Sequence, residues 1–338
     1  MILIENNECT DPFVNLAIEE YVFRNFDVSE GYLFLYINQR SIIIGRNQNP
    51  FEEINPEFIY NNDFPIARRI SGGGTVYHDF GNLSFSFIRE FESNLFNKYR
   101  EFTQPIIDLL TELGVVCNLD ERNNIRIIGK KISGNAQFTS RKKMISHGTL
   151  LFDSDLTKLN TVLKCTSESL VSKSTPSIKS EVVNITNYLL TKLDIQEFKV
   201  ELISKILGNK NPEQLIFSSE QWNEINKLAD TKYRTWEWTY GETPPFSYSR
   251  KIYIGKREIN IDIEIVDGMI TSMKPSQEFN LLDESIILNS FIGCKFRESE
   301  ILSVFEEYGR GIPSTIEHEA ILKIFDLLPG IRKIISNL

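Results

Sequence analysis

The strongest constraint on what this chain can fold into is a run of three glycines, Ser71-Gly72-Gly73-Gly74, set between two stretches of strand character. Ala67 to Ile70 leads into the run, and Thr75 to Tyr77 and Leu83 to Ile88 follow it with β-branched and aromatic residues. A main chain without Cβ atoms at successive positions can approach another group closely and turn its N–H groups towards anionic oxygens. Arg68 and Arg69, directly before it, add two permanently charged guanidinium forks. No Gly-Lys-Ser or Gly-Lys-Thr closes the loop as in a Walker motif, and the glycine spacing and the following strand do not fit a dinucleotide fingerprint. The pattern reads as a cradle for a nucleotide or a carboxylate; a plain tight turn is the alternative that these residues leave open.

Around this loop the chain alternates helical and strand periodicities. Thr10 is expected to cap a helix whose Val14, Ala17, Ile18, Tyr21 and Val22 form a core-facing stripe. Leu33 to Ile37 and Ile42 to Ile44 read as buried strands, the second ending at Gly45-Arg46, and Asn55-Pro56-Glu57 opens a short helix. Helices at about 101–113 and 155–163 alternate with strands near 115–119, 125–128, 132–138 and 144–152. The Trp-rich segment 231–246 reads as a packed junction. Beyond it Ile259, Ile261, Ile263 and Ile265 alternate with polar residues, Asp267-Gly268 supplies a hairpin turn, and helices are expected near 282–292, 297–308 and 315–327. The expected fold class is α/β (α+β), with one domain over 1–245 and a smaller α/β unit over 246–338.

The 338 residues carry 37 Lys plus Arg against 46 Asp plus Glu, a net charge of −9, which lacks the basic excess of a protein that holds long nucleic acid. No cationic leader and no window of 18 apolar residues is present, so neither membrane insertion nor export is expected and the expected address is cytoplasmic. Cys9, Cys117, Cys165 and Cys294 form no CxxC pair, and His78, His147 and His318 form no HExxH motif. A resident transition metal is therefore not expected, and any metal is expected to arrive with a phosphate ligand.

Two further segments carry chemistry: Gly129-Lys130-Lys131-Ile132-Ser133-Gly134-Asn135-Ala136-Gln137 and His147-Gly148-Thr149-Leu150-Leu151. A lysine at a strand start beside a Ser-Gly turn can point its ammonium into a cleft and stabilise charge on a phosphoryl or acyl oxygen. Taken alone, Lys131 reads as a solvated surface residue and His147 as a packed polar residue rather than a base.

In order and spelling these segments resemble the lipoate-protein ligase A family: IGRNQNP at 44–50, RRISGGGTVYHDFGN at 68–82, GKKISGNAQ at 129–137, HGTLLFD at 147–153 and TWEWTYGETPPF at 235–246. The resemblance spans nearly the whole chain. It implies the mixed sheet shared with biotin ligases and class II aminoacyl-tRNA synthetases, followed by a C-terminal accessory domain. It also implies that ATP and Mg2+ activate free lipoate to lipoyl-AMP with release of pyrophosphate. The lipoyl group would then pass to a lysine of a lipoyl domain, in an E2 subunit of a 2-oxoacid dehydrogenase or in the glycine-cleavage H protein. By family position Arg69, Gly74, Thr75, Val76 and Tyr77 would border the nucleotide. Lys131 would be catalytic, contacting the adenylate phosphate and the acyl carbonyl. Arg69, Gly72, Gly73, His78, Lys131 and His147 would bind the acyl substrate.

Two positions depart from the family pattern. Asn124 stands where an aspartate that helps hold a metal is usual, and Lys179-Ser180-Glu181-Val182 replaces an Arg-x-Arg-Val. The competing expectations are an octanoyl or lipoyl transferase working through a thioester on Cys165, and a degenerate protein that binds lipoate or its adenylate without turnover. A ligase needs no protein nucleophile once a mixed anhydride exists, so Cys165→Ser is expected to retain full lipoylation of an apo carrier, read by intact mass; loss of transfer would establish the thioester route.

Overall fold

The computed structural model describes residues 1–62, 64–92, 95–163, 170–208, 211–254, 257–275, 288–309 and 318–336. They form two compact units. The first comprises Met1–Arg46, Pro65–Asn160 and Ser177–Thr235; the second joins Trp236–Leu338 with two earlier segments, Asn47–Phe64 and Thr161–Pro176.

The first unit is built on β1 (Ile2–Ile4), α1 (Pro12–Asn25), β2 (Tyr32–Tyr36) and β3 (Ser41–Ile44), followed by β4 (Ile66–Arg68), β5 (Val76–His78) and β6 (Asn82–Glu90). The helix α1 starts one residue later than the sequence suggests: Asp11, not Thr10, is the cap, its carboxylate accepting from the N–H groups of Phe13 and Val14 while Pro12 takes the first helical position. A second group of elements follows β6. It starts with α4 (Tyr99–Glu112), which comes after two short helices of the other unit, α2 (Pro50–Glu53) and α3 (Pro56–Asn62). Next are β7 (Asn118–Leu119), β8 (Ile125–Ile127), β9 (Lys130–Ser133), β10 (Asn135–Ser140) and β11 (Lys143–Leu151). The single strand expected over 132–138 is therefore two, broken at Gly134, because the chain leaves one sheet there and enters another.

Six strands make the main sheet in the order β10-β11-β6-β2-β1-β13, with β13 at Gln214–Leu215 following β12 (Leu170–Ser172) of the other unit; its first four strands pair antiparallel and the rest parallel. Two three-stranded sheets, β4-β3-β5 and β7-β8-β9, carry the glycine loop and the lysine strand. Behind them the core runs from Leu33, Phe85 and Phe87 on the sheet to Phe102, Ile106 and Leu110 on α4 and Phe198 and Leu202 on the helix Ile195–Leu207. Burying each such side chain contributes about 1.5–3 kcal/mol, which fixes the small sheets against the large one.

The junction begins as a helix, Ser219–Leu228, that widens into two π-helical turns, Ala229–Tyr233 and Glu237–Gly241. Glu20 on α1, 1% exposed, holds the first of them by accepting from Lys232 Nζ at 2.6 Å and Tyr233 Oη at 2.5 Å. Each partner compensates a buried charge that would otherwise be costly.

In the second unit a four-stranded sheet, Leu170–Ser172, Phe246–Ile254, Arg257–Val266 and Met269–Pro275, follows the alternating isoleucines: Ile259, Ile261, Ile263 and Ile265 are buried. Asp267 and Gly268 form the hairpin turn with φ of 50° and 70°. The helices Glu298–Gly309 and His318–Ile324 match expected ones, a further helix at Pro329–Ser336 was not anticipated, and most of the helix expected at 282–292 lies outside the described residues. No described helix is long and apolar enough to cross a membrane.

The β5–β6 turn closes on the main sheet at Gly81, whose carbonyl accepts from the N–H groups of Phe152 and Asp153. A Cβ at this position would lie 2.0 Å from the Asp153 carbonyl oxygen. Gly81→Ala is thus expected to destabilise the chain by about 3 kcal/mol or more in denaturant unfolding; a change below about 0.5 kcal/mol would show that the turn does not sit so tightly.

Candidate active site

Two parallel strands end together and launch the glycine loop: β3 pairs with β4, Ile44 beside Arg68. The two arginines then divide the work. Arg68 is fully buried and donates to the carbonyls of Gly45 and Arg46, locking the end of β3. Arg69 turns into the loop, where Nη2 donates to Gly72 O at 2.6 Å and Gly74 O at 2.8 Å, Nη1 to Ile43 O, and Nε to Ser71 Oγ at 3.1 Å. With its carbonyls drawn inward onto one guanidinium, the loop is held in a single shape. A Cβ on Gly72 would meet nothing within 4 Å, so the space before the loop is open, while Gly73 lies at φ 86° with its virtual Cβ 3.5 Å from Ala136 on β10.

Ser71 continues the line. Its Oγ is 2.6 Å from His147 Nε2, and His147 Nδ1 is 2.8 Å from Glu19 Oε1 on α1. All three side chains are buried. Burial alone would push the Glu19 carboxyl up, but the charge of His147 and the hydrogen bond from it prevail and hold it below the usual range. Arg69, Ser71, His147 and Glu19 thus form one hydrogen-bonded line from loop to helix.

His78 sits beside this line at the end of β5. Asn6 donates to Asn15 Oδ1, Asn15 donates to Asn38 Oδ1, and Asn38 Nδ2 therefore faces His78 Nδ1 at 2.9 Å. An amide N–H only donates, so Nδ1 holds a lone pair and the proton sits on Nε2. Nε2 is buried and has no partner among the described residues, a cost of about 1–3 kcal/mol that a ligand acceptor would relieve. Burial, then the charges of Arg69 and His147, push the ring's pKa down to about 3, so His78 stays neutral.

Lys131 lies on β9, anchored on its far side by backbone hydrogen bonds to Glu181 and Val183. Its Nζ would be 2.9 Å from a Cβ on Gly134 and has no hydrogen bond or ion pair among the described residues. Burial, the charge of Arg126 and that of Arg69 lower its pKa, against an opposing pull from Asp120. Arg69 is thus one of the charges that act on Lys131. Thr75 and Gly74 close the loop against Ser177, whose Oγ accepts from Thr75 N–H at 2.9 Å. Val76 and Tyr77 are on β5, an edge strand of its sheet, with the Tyr77 ring buried at 1% exposure.

Asn124 is buried and its amide donates to Asp120, whose carboxylate also takes Arg126 Nε at 2.5 Å. Although burial opposes it, the hydrogen bonds from Arg126 and Asn124 hold the Asp120 carboxyl down at about 2. Among the described residues no three His, Cys, Asp or Glu side chains gather as a metal cage. Cys165 lies outside the described residues; burial pushes the thiols of Cys117 and Cys294 up to about 11 and raises that of Cys9, the wrong direction for a thiolate nucleophile.

Residues that the sequence did not single out are Glu19, Asn38, Asp120 and Ser177, and Ser71 was named only as the residue that opens the glycine run. For α1 a signal existed: Asn15 and Glu19 are four apart and share one helix face, but nothing local says that this face is buried.

Over residues 11–207 the chain matches the lipoyl protein ligase A/B catalytic domain. It is 40% identical to lipoate–protein ligase 1 of Staphylococcus aureus, over 91% of this chain and 94% of that one. A putative lipoate protein ligase of Thermoplasma acidophilum, solved with bound lipoic acid, superposes with a TM-score of 0.60 at 26% identity, covering 71% of this chain and 98% of that one. A second structure of this archaeal system, with the same TM-score and identity, describes a bi-partite ligase and its E2 lipoyl domain and covers 71% of this chain and 96% of that one. A lipoate-protein ligase A bound with ATP gives 0.60 at 27% identity, with 71% and 98% covered.

Glu19 contributes stability above the ordinary carboxyl value of 4.5 and loses it as pH falls through its lower folded-state value. Glu19→Gln is expected to unfold with a shallower acid dependence below pH 4.5 than the unaltered chain and to lose about 1–3 kcal/mol at pH 7; parallel pH curves would show that the carboxylate is not ionised in the fold.

Proposed function

From the premise that this chain belongs to the lipoyl protein ligase A/B family, we infer how its first compact unit does its chemistry. The chain is an ATP-dependent lipoate-protein ligase. Its substrates are lipoate and lipoyl-carrier proteins. Residues 1–245 would hold lipoate and ATP, and 246–338 would serve as an accessory unit. One observation carries the site assignment: the partly buried Lys131 ammonium, with no hydrogen-bond or ion-pair partner of its own among the described residues, lies beside Gly134 within the field of Arg69, the guanidinium that braces the glycine loop.

In the first step a carboxylate oxygen of lipoate attacks the α-phosphorus of ATP. A P–O bond forms, the bond to the β-phosphate breaks, and pyrophosphate leaves with the electron pair. Anions meet here, so charge neutralisation is the main requirement. Lys131 would stabilise the α-phosphate and the acyl oxygen, the amides of Gly72 to Gly74 would face the phosphates, and Val76 and Tyr77 would border the nucleotide through the edge of β5. Arg69 would act mostly by holding the loop, since its donors already meet the carbonyls of Ile43, Gly72 and Gly74. His78 Nε2 and His147 would face the acyl substrate. Mg2+ would enter on the phosphates, and no step is assigned to a protein-held metal.

In the second step the amine of the carrier lysine attacks the acyl carbonyl. The amide bond forms, the carbonyl–phosphate oxygen bond breaks, AMP leaves with the electron pair, and the nitrogen gives its proton to water. Positioning and exclusion of water suffice, since the mixed anhydride is already activated. The carriers best suited to this reading are the lipoyl domains of E2 subunits and the glycine-cleavage H protein. Incubation with ATP, magnesium, lipoate and a panel of these apo carriers, read by intact mass, tests the assignment.

Lys131→Ala is expected to lower lipoate-dependent exchange of pyrophosphate into ATP by about 100-fold or more, with an unchanged circular dichroism spectrum. Exchange at the unaltered rate would remove Lys131 from the reaction.

A further inference from the structure

We propose that Asn38 is a positioning residue for the acyl substrate: aligned by Asn15 and the Cys9 carbonyl, it fixes the imidazole of His78 as an Nε2–H donor that binds an acceptor atom of the bound acid. The proposal rests on the ligase reading above and adds which residues set the direction of that donor.

The direction of the amide chain is decided at its far end. Asn15 Nδ2 meets the Cys9 carbonyl at 2.9 Å and Asn38 Oδ1 at 2.8 Å, and Asn6 Nδ2 meets the same carbonyl at 3.0 Å and Asn15 Oδ1 at 2.8 Å. A backbone carbonyl only accepts, so neither Asn6 nor Asn15 can turn its oxygen towards Cys9. With Asn15 committed as a donor, Asn38 has to offer it an oxygen and to present Nδ2 to His78 Nδ1. A main-chain oxygen near the start of the chain thus dictates the tautomer of a histidine at the end of β5.

The backbone keeps this anchor in place. Cys9 closes a tight turn, its N–H donating to Asn6 O, and the two central residues, Asn7 and Glu8, lie at φ of 52° and 56°. Such a pair suits Asn and Gly, and a glutamate in it is unfavourable by itself. Asn38 is pinned independently of His78, by the Gln39 N–H on Thr10 O. Asn6, Asn15, Asn38 and His78 are all buried, none more than 4% exposed.

In a buried imidazole that only fills space, both nitrogens gain from protein partners. Here the asparagine chain serves Nδ1, while Nε2 is buried with no partner among the described residues. An oriented, desolvated N–H is costly until a ligand atom accepts from it. The charges that reach the ring are those of Arg69 and His147, which places it beside the glycine loop and its hydrogen-bonded line. A neutral ring there offers direction without a charge that would compete with Lys131 for the carboxylate. The acceptor is a carboxyl oxygen, which every acyl acid carries, or a dithiolane sulfur, which lipoate has and octanoate lacks.

The test uses the full chain with 15N-labelled histidine rings, the His78 signals being assigned by their loss in His78→Phe. At neutral pH the unaltered chain should show a protonated Nε2 and a bare Nδ1, and the Nε2–H signal should move on adding lipoate at a concentration that saturates pyrophosphate exchange. Movement with octanoate as well marks a carboxyl oxygen as the acceptor, and movement with lipoate alone marks the sulfur. Asn38→Leu, which removes the donor at nearly equal size, should release the tautomer and raise KM for lipoate about tenfold while KM for ATP holds. In a His78→Phe background the same substitution should add nothing, because Asn38 acts through the ring. An equal rise in that background, or an unmoved KM for lipoate in Asn38→Leu, overturns the proposal. So does a protonated Nδ1 in the unaltered chain, or an Nε2–H signal that neither acid moves, and these two readings need no folded variant of Asn38. If the unaltered chain shows no lipoate-dependent exchange, the ligase reading fails first; normal exchange with an unmoved His78 signal refutes the positioning role alone.

Discussion

The line Arg69–Ser71–His147–Glu19 is the interaction on which the rest of the first unit depends. It ties a loop between two short strands to the main sheet at β11 and to the first helix, adding a directional polar link to the apolar packing that holds these elements together. Its members are buried, so each link is electrostatically stronger than in water and each broken link is costly. Holding the loop carbonyls inward on one guanidinium is what leaves the opposite side of the glycine run open. Pre-organisation of this kind costs nothing at the moment of reaction, which is the condition for effective stabilisation of developing charge.

The charges of the site follow from this geometry. Glu19 is ionised at the far end of the line, His78 is kept neutral, and Lys131 is depressed by burial and by Arg126 and Arg69. An ammonium set among arginines lacks a stable counter-ion, and a phosphate or an acyl oxygen supplies one. Asp120, whose charge pulls the Lys131 pKa the other way, is already paired with Arg126 and the Asn124 amide. The exchange of a carboxylate for Asn124 leaves a neutral group whose amide braces Asp120, a structural use of the position.

Most of the elements were legible because their signals are local. The strand character on both sides of the glycines, the isoleucine alternation over 259–265 and the Asp267-Gly268 turn each state a backbone preference that nothing in the tertiary structure overrides. The errors have local causes as well. Asp11 and Thr10 are both competent caps, and the proline at 12 decides for Asp11 by occupying the first helical position. The break at Gly134 is hidden in sequence because strand propensity continues through 132–138 while the hydrogen-bond partners change sheets.

The sequence by itself determined the chemistry-bearing residue types: a glycine run preceded by arginines, a lysine after a glycine, and a histidine sixteen residues further on, which are properties of order and spelling. Only the tertiary structure decided which of them face one another. Arg69 proved to grip its own loop, Ser71 to join His147, and Glu19 to stand behind both, although 128 residues separate Glu19 from His147 along the chain. Burial and long-range pairing depend on how sheets and helices close over one another, and a local sequence pattern carries no term for that closure.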